Sequence, residues 1–211
     1  MKEIVLCFGA HSDDIEISMG GTVAKYSAEG KEVIGIVFSS GDKSSPWLRK
    51  DVIIEEREKE TKEIGKFLGY KETIIIGLKD GELMKEIENP LAKKKVTEII
   101  KKYKPSQIFI NSRLDPHPDH RAVNKCVLGV LDKLKNNIPT YTYEVWDVIN
   151  DNNPRMYVDV TKFFSKKVKA IKMFKSQWHY TYPLLVPVYY RAIISGFHNK
   201  CRYAERFYKI K

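Results

Sequence analysis

The sequence predicts an α/β protein with a mostly parallel sheet that carries helices on both faces. Through the first two-thirds of the chain, short apolar runs alternate with longer segments whose apolar residues recur at helical spacing. Alternating strands and helices form right-handed βαβ units, and such units build a parallel sheet. This arrangement is a Rossmann-like three-layer domain. A chain of 211 residues, 43% of them hydrophobic, has the size that builds one core, so we expect a single domain over residues 1–211.

Each element has a local signal. Apolar runs bounded by turn residues predict six strands, at 4–9, 32–39, 73–76, 107–110, 140–145 and 156–160. Helical periodicity predicts five helices, over 20–29, 50–68, 91–103, about 118–134 and about 162–175. Three helix boundaries have a clear cause: Gly69 closes the second helix, Pro105 follows the third, and Pro118 lies in the first turn of the fourth.

Composition excludes several classes of protein. No apolar run approaches the roughly 20 residues of a membrane-spanning helix, so no transmembrane span is expected. The N-terminal residues lack the long apolar segment and the cleavage site of a signal peptide, which indicates a cytoplasmic protein. Cys7, Cys126 and Cys201 are widely spaced, as is typical of reduced thiols, and a thiol-ligated metal site is not expected.

The formal charge of +10 lies in the second half of the chain. Residues 1–105 carry 19 basic and 19 acidic side chains, whereas residues 155–211 carry 13 basic and 2 acidic ones together with 13 of the 24 aromatics. This basic, aromatic C-terminal extension suits an anionic or sugar-like partner. A lysine-rich solvated surface over an aromatic core explains it equally well. A nucleic-acid partner is not favoured, because RNP, zinc-finger and basic-zipper patterns are missing from the sequence.

Two polar clusters each follow a predicted strand. Residues 9–16 read GAHSDDIE, and residues 115–121 read DPHPDHR. Together they hold three of the five histidines and four aspartates. Ligands of parallel sheets bind outside the carboxyl ends of the strands, so both clusters are expected at the same edge. Taken singly, each cluster is explained by a turn or a helix cap. Taken together, they indicate a functional site.

A metal ion explains this choice of residue types. Two imidazoles and one carboxylate form the ligand set of an open catalytic Zn2+ site, with one ion per chain, and the same set also serves Fe2+. Such an ion lowers the pKa of a bound water to about 7. The remaining carboxylates are then available to move protons. Spacing alone does not choose among the aspartates.

A series of motifs runs in order through nearly the whole chain. They are HxDDxE at 11–16, GGT at 20–22, RxxE at 57–60, LG at 68–69, DGEL at 80–83, HPDH at 117–120, YEVW at 143–146, KSQ at 175–177 and YAExF at 203–207. These motifs resemble those of the PIG-L/LmbE family of zinc-dependent N-deacetylases, which remove acetyl groups from N-acetylglucosamine-type substrates. One departure is Ser12, since the family usually has proline there.

The resemblance implies a role for each residue of the two clusters. The implied metal ligands are His11, Asp14 and His120. Asp13 becomes the general base that takes a proton from the attacking water. His117, paired with Asp119, stabilises the oxyanion or protonates the leaving amine. Some relatives have a tyrosine two residues before that histidine, and Asp115 stands at this position, so the role falls to His117.

Three further residues are candidates for binding the substrate. Arg57 and Glu60 share the inward stripe of the helix predicted over 50–68. One interpretation is a partly buried ion pair between them. The resemblance implies instead that Arg57 reaches the substrate pocket to bind hydroxyl or phosphate oxygens. Asp80 and Glu144 are candidates for sugar hydroxyls, against the plainer alternatives of a turn and a sheet-edge residue.

We expect a hydrolase that removes the N-acetyl group from an N-acetylglucosamine-type conjugate and releases acetate and a free amine. The basic extension favours a small-molecule conjugate that carries an anionic group. The alternatives are a metal-dependent hydrolase of another amide or ester, and a non-catalytic metal-containing module that binds sugar or nucleic acid. Asp13 and His117 favour the enzyme, because a binding module needs neither a base nor an acid. The family includes monomers and larger assemblies, so a homo-oligomer is compatible with the sequence.

Overall fold

Seven strands form one sheet in the part of the chain that the structure describes, which is residues 2–39, 41, 49–145 and 151–211 of a computed structural model. The strands are β1 (Ile4–Gly9), β2 (Glu32–Ser39), β3 (Glu72–Leu78), β4 (Gln107–Asn111), β5 (Thr140–Tyr143), β6 (Arg155–Asp159) and β7 (Ala204–Lys209). Their spatial order is β3-β2-β1-β4-β5-β7-β6. The first five strands pair in parallel, and β7 runs antiparallel to both β5 and β6. The mostly parallel sheet that the sequence predicts is confirmed.

Helices cover both faces of this sheet. They are α1 (Asp14–Ala28), α2 (Lys50–Leu68), α3 (Leu83–Glu86), α4 (Pro90–Tyr103), α5 (Pro118–Lys133), α6 (Phe164–Lys172), α7 (Trp178–Thr181) and α8 (Leu185–His198). One apolar core lies under α1, α2, α6 and α8, and a second core lies under α3, α4 and α5 on the other face. The predicted three-layer fold is thus confirmed. None of the described helices combines the length and the apolar character needed to cross a membrane.

The sequence of β1 explains its central position. Val5 and Cys7 face one core, Leu6 and Phe8 face the other, and all four side chains are fully buried. A strand that is buried on both faces is apolar at every position rather than at alternate ones. The polar residues that follow Gly9 therefore emerge at the middle of the sheet edge.

The first helix begins at Asp14, six residues before the predicted start at residue 20. Asp13 occupies the N-cap position, and Asp14 and Glu16 lie in the first turn, where the helix dipole favours carboxylates. The helix departs from helical geometry at Met19, with φ −135° and ψ 19°. This irregularity interrupts the helical periodicity, which is why the sequence pattern becomes clear only after it.

The C-terminal residues contain four elements that the sequence pattern did not predict, namely a short 3-10 helix (Lys175–Gln177), α7, α8 and β7. β7 lies inside the sheet, between β5 and β6. Its residues Glu205 and Arg206 are charged, yet the Glu205 side chain is buried and Arg206 pairs with a carboxylate inside the protein. Two internal charges interrupt the apolar pattern of this strand. The short helix α3 was also missed, because four residues are too few to show a period.

A buried ion pair joins β7 to α6, and both of its members contact α1, the helix that carries the first polar cluster. Glu205 Oε1 and Lys167 Nζ lie 2.6 Å apart, and their side chains are 2% and 3% exposed. The Glu205 carboxylate also accepts the backbone N–H groups of Gly21 and Thr22, at 3.0 and 2.6 Å. It therefore supplies acceptors to α1 in the turn that follows the irregularity at Met19.

Gly21 permits this close approach. A Cβ atom at this position would lie 2.8 Å from Cβ of Val160 and 3.1 Å from Oε1 of Glu205. In the same turn of α1, the carbonyl of Ser18 accepts a hydrogen bond from Lys167 Nζ at 3.2 Å. Both members of the ion pair thus bind the backbone of α1, so β7 and α6 together hold the shape of this helix.

We expect Glu205→Gln to lower the free energy of unfolding by about 3–5 kcal/mol, because it leaves the buried Lys167 ammonium without its counter-charge. Unfolding in urea measures the change. The double variant Lys167→Met/Glu205→Gln removes the uncompensated charge and is expected to recover part of the loss. Glu29→Gln, at an exposed position just after α1, is the matched control and should change stability little. Equal stability of Glu205→Gln and wild type would contradict this account of the ion pair.

Candidate active site

The carboxyl ends of β1 and β4 bring the two polar clusters of the sequence together. The strands pair in parallel, with Phe8 opposite Ile110 near their carboxyl ends. Beyond this point, His11 Nδ1 lies 3.3 Å from His120 Nε2, although the two residues are 109 positions apart in the sequence. The clusters meet at the edge where parallel sheets bind their ligands.

Three side-chain atoms form a nearly equilateral triangle at this edge. Asp14 Oδ1 lies 3.5 Å from His11 Nδ1 and 3.2 Å from His120 Nε2, and the two nitrogens are 3.3 Å apart. Zinc ligands at about 2.0–2.1 Å in tetrahedral geometry are about 3.3 Å from one another. The triangle therefore has the dimensions of three ligands around one small cation. It consists of the three residues that the family resemblance implies as ligands.

A carboxylate holds the outer nitrogen of each imidazole. His11 Nε2 lies 3.2 Å from Asp80 Oδ1 and 3.4 Å from Asp119 Oδ2. His120 Nδ1 lies 2.9 Å from Asp115 Oδ1, and both of these side chains are fully buried. These carboxylates favour a proton on each outer nitrogen and so leave the inner nitrogens with free lone pairs, which is how metal-binding histidines are oriented in proteins.

The other oxygen of Asp14 fixes the position of its carboxylate. Asp14 Oδ2 accepts hydrogen bonds from the backbone N–H groups of Ala10 (2.8 Å) and His11 (3.1 Å) and from Asn111 Nδ2 (3.0 Å). Asn111 is the last residue of β4, so this carboxylate links the ends of both strands. The Oδ1 atom is thereby directed between the imidazoles.

The electrostatics of the cluster favour positive charge at its centre. Burial opposes protonation of His120, yet the neighbouring Asp14 and Asp115 carboxylates raise the pKa of its imidazole to about 9. Burial also lowers the pKa of His11, but Asp14 and Asp119 outweigh it and raise this pKa well above its usual value. Burial also opposes ionisation of Asp14, but the two imidazoles hold its pKa well below the usual range. A cation between these groups is stabilised by the same charges that favour the protonated imidazoles.

Asp13 differs from its neighbour Asp14. Its carboxyl is buried, and burial together with the Asp14 charge raises the pKa of Asp13, while Arg57 and His11 partly offset this rise. Two adjacent carboxylates thus have opposite pKa shifts. Asp14 is set to remain ionised, whereas Asp13 is the stronger base.

His117 lies beside both imidazoles of the triangle. Its ring centroid is 4.8 Å from those of His11 and His120. As the N-cap of α5, its Nδ1 accepts the backbone N–H of Asp119 at 3.2 Å. A neutral imidazole that accepts at Nδ1 carries its proton on Nε2. Burial and the two other histidines lower the pKa of His117, so the neutral ring is favoured.

The predicted pairing of His117 with Asp119 takes a different form in the structure. The hydrogen bond between these two residues runs from the backbone N–H of Asp119 to Nδ1 of His117. The carboxylate of Asp119 is buried and accepts the backbone N–H groups of Gly81 (2.7 Å) and Leu83 (3.1 Å), in addition to facing His11. Asp119 therefore positions His11 and the segment between β3 and α3.

Arg57 reaches the same site from α2. Its Nη2 donates to Ser12 Oγ at 2.7 Å, and its Nη1 donates to the carbonyl of Gly41 at 3.3 Å. Gly41 has a φ of +72°, and a Cβ atom there would lie 2.6 Å from Arg57 Nε. Glu60 instead accepts hydrogen bonds from the backbone N–H and hydroxyl of Ser176. The structure thus supports the interpretation in which Arg57 faces the site, and it does not show the ion pair with Glu60.

The other two predicted substrate residues have protein partners. Asp80 contacts His11, as described above. Glu144 follows β5 and accepts hydrogen bonds from Arg206 Nη2 (2.6 Å) and the hydroxyl of Tyr208 (3.3 Å). The motif residue Trp146 lies outside the described residues. Contacts of Asp80 and Glu144 with a sugar remain predictions.

Several supporting residues were not found by sequence reasoning. Asn111 and Asp115 hold Asp14 and His120, and Ser12 holds Arg57. Asp115 could have been noticed because it lies in the second polar cluster. From the sequence, it is interpreted only as the residue that replaces the tyrosine of some relatives. Its contact with His120 depends on the turn at the end of β4.

The fold and the side-chain cluster place this protein among α/β proteins with a candidate metal site at the strand ends. Comparison of its sequence with known protein families identifies the family. Residues 6–131, more than half of the chain, match the PIG-L family, described as GlcNAc-PI de-N-acetylase. The chain belongs to this family. The match contains both polar clusters, so the resemblance inferred from the motifs is confirmed.

Three of the proteins that this chain resembles are named as deacetylases. A diacetylchitobiose deacetylase from Thermococcus kodakarensis is 25% identical over 95% of this chain and 80% of its own length. A probable N-acetyl-alpha-D-glucosaminyl L-malate deacetylase 2 from Bacillus anthracis is 25% identical over 82% of this chain and 81% of its own. The crystal structure of N,N'-diacetylchitobiose deacetylase from Pyrococcus horikoshii superposes with a TM-score of 0.82 and 27% identity, covering 99% of this chain and 84% of that one.

We expect Asp115→Asn to weaken divalent metal binding about 10- to 100-fold, because His120 loses the carboxylate that orients its ring. Competition with a chromogenic chelator measures the affinity, and circular dichroism checks the fold. Asp132→Asn is the matched control, since that side chain is 72% exposed on α5. Equal affinities of Asp115→Asn and Asp132→Asn would show that His120 does not depend on Asp115.

Proposed function

We propose that this protein is a metal-dependent hydrolase that removes the N-acetyl group from an N-acetylglucosamine-type amino-sugar conjugate, releasing acetate and a free amine. The observation that carries the proposal is the triangle of His11 Nδ1, Asp14 Oδ1 and His120 Nε2, with Asp13 and His117 beside it. The family match and the deacetylase relatives support the choice of reaction.

Zn2+ is the metal that we propose, one ion per chain, and Fe2+ is the alternative with the same ligand set. The donors fit it by type and by spacing: two imidazole nitrogens and one carboxylate oxygen, all within 3.5 Å of one another. When bound, zinc lowers the pKa of a water and polarises the amide carbonyl.

Asp13 is the general base in this proposal. It is adjacent to Asp14, it is buried, and burial raises its pKa, so its carboxylate is a stronger base than an exposed aspartate. Its task is to take the proton of the water that attacks the amide carbon. Arg57 lies close enough to lower the pKa of Asp13, which favours the ionised carboxylate that a base requires.

His117 is the hydrogen-bond donor on the other side of the reacting amide. Because Nδ1 accepts the N–H of Asp119, the ring directs an Nε2–H group away from the helix cap. That N–H can stabilise the oxyanion that forms when the carbonyl is attacked. The departing nitrogen also needs a proton, and the proton that Asp13 takes from the water can supply it, because loss of the Nε2 proton would turn the neutral His117 ring into an imidazolate. Amide hydrolysis needs both steps, since an amine anion is a poor leaving group.

Arg57 supports the part of the proposal in which the substrate carries an anionic group. Its guanidinium is held by Ser12 and Gly41 beside the catalytic groups, and planar guanidinium groups bind phosphate and carboxylate oxygens well. We assign Asp80 to holding His11, because its carboxylate contacts that ring.

The first experiment measures release of free amine from neutral and anionic N-acetylglucosamine conjugates, with metal-stripped protein, with and without added Zn2+. The expected result is zinc-dependent release with higher kcat/KM for anionic conjugates, and a preference that declines as salt screens the charges. No release from any conjugate by protein that binds one metal per chain would favour another amide substrate or a binding module.

Asp13→Asn is expected to lower kcat at least about 100-fold, because the attacking water loses its base. Metal content, measured by elemental analysis, should stay at the wild-type level. His120→Ala is the matched contrast, since it removes a proposed ligand and should lose both metal and activity. Near wild-type turnover by Asp13→Asn would exclude Asp13 as the base.

Ser12→Ala is expected to raise KM for anionic conjugates about 3- to 10-fold, because Arg57 loses a hydrogen bond that fixes its position. The kcat value and the KM for neutral conjugates should change little. Ser106→Ala serves as the control, since its hydroxyl binds the carbonyl of Ile4 at the opposite edge of the sheet. Equal effects on neutral and anionic conjugates would contradict a role in anion binding.

A further inference from the structure

Helix α8 exposes a continuous apolar stripe to solvent. The stripe follows helical spacing at positions i, i+3, i+4, i+7, i+8 and i+11, and consists of Val186, Tyr189, Tyr190, Ile193, Ile194 and Phe197. Val186 is 75% exposed and Phe197 is 82% exposed. We call these six residues the α8 stripe. Trp178 and Tyr182, whose rings meet edge to face 6.5 Å apart, are also exposed just before the helix.

The side-chain distribution on α8 is the reverse of that on an ordinary surface helix. The buried positions carry small residues, which are Val188, Ala192, Ser195 and Gly196. A Cβ atom at Gly196 would lie 2.7 Å from the backbone oxygens of Cys201 and Arg202, so the helix already packs tightly on the chain beneath it. The larger apolar residues therefore point outward. A helix that is apolar all round is normally buried on all sides.

The exposed area matches one side of a protein interface. The α8 stripe with Trp178 and Tyr182 exposes roughly 900 Å², judged from their exposed fractions and typical side-chain areas. The largest apolar patch of a typical monomer is about 300–600 Å². A stable protein–protein interface covers about 800 Å² on each partner.

We propose that the α8 stripe is the interface through which this chain binds a second copy of itself. None of the exposed residues of the stripe is charged, and interface centres are likewise depleted of charged residues and rich in Tyr, Trp and Phe. The one charged residue of α8, Arg191, faces inward and donates to the carbonyl of Val145 at 2.7 Å. A stripe on one helix is self-complementary about a two-fold axis, since α8 can pack against α8 of the second copy.

A lipid surface is the competing occupant, and the composition of α8 does not favour it. Helices that lie on membranes carry Lys and Arg on the face opposite the apolar one, where they meet headgroups and water. In α8 that opposite face packs on β7 and carries small residues. The helix itself offers no exposed lysine or arginine. This proposal does not depend on the proposed function, because it concerns assembly alone.

Sedimentation velocity over roughly 1 to 100 µM chain tests the proposal in the range of typical dimer affinities. Wild-type protein should sediment as a multiple of the 24.5 kDa chain. Ile193→Glu and Val186→Glu should each weaken assembly at least about 100-fold, since each places two carboxylates across the symmetric interface. Both positions are at least half exposed in the single chain, so the variants should fold, which circular dichroism checks.

Leu91→Glu is the matched control, because Leu91 is 62% exposed on α4 and lies outside the α8 stripe. It should leave assembly unchanged. A wild-type chain that stays monomeric at every concentration would overturn the proposal, and so would an assembly that both α8 variants leave intact. Vesicles of phosphatidylglycerol and phosphatidylcholine form a further arm. Flotation of wild type with them, lost in Ile193→Glu, would assign the stripe to a lipid surface instead.

Discussion

The two oxygens of the Asp14 carboxylate have different partners, and the geometry of the site depends on this division. Oδ2 is held by two backbone N–H groups after β1 and by the Asn111 amide at the end of β4. Oδ1 is then directed between His11 and His120. Three donors on one oxygen stabilise the ionised form of a buried carboxylate, which compensates for its loss of hydration. The proposed catalytic groups, Asp13 and His117, lie around this fixed anion.

The basic character of the C-terminal residues has two separate uses. Lys167 and Arg206 neutralise the buried carboxylates of Glu205 and Glu144, and Arg191 binds a backbone carbonyl at the end of β5. These three cations belong to the interior of the protein. The basic residues that remain exposed are left to face solvent or a partner, and they are Arg155, Lys162, Lys169, Lys172, Lys175, Lys200, Arg202 and Lys209. Net charge from the sequence therefore overstates the charge that a substrate meets.

The mostly parallel sheet and the position of the site could be predicted, because both depend on local pattern. Alternating apolar runs and helical periods indicate the parallel sheet, and the motifs that follow two strands indicate where ligands bind. Long-range partners could not be predicted in this way. Asp80 reaches His11 only through the packing of β3 beside the other strands, and Glu205 reaches Gly21 across the sheet. β7 was missed because the ion pairs of its charged residues are visible only in three dimensions.

The hydrogen bonds that the backbone N–H groups of α1 donate to Glu205 join residues that are 184 and 183 positions apart. During synthesis on the ribosome, the residues of the candidate active site leave the exit tunnel long before this glutamate does. Contacts over such distances form slowly, because the chain must lose loop-closure entropy before any contact repays it. The nascent chain therefore presents an unpaired edge at β5 until β7 arrives, and this is the interval in which unwanted strand pairing with other chains is most damaging.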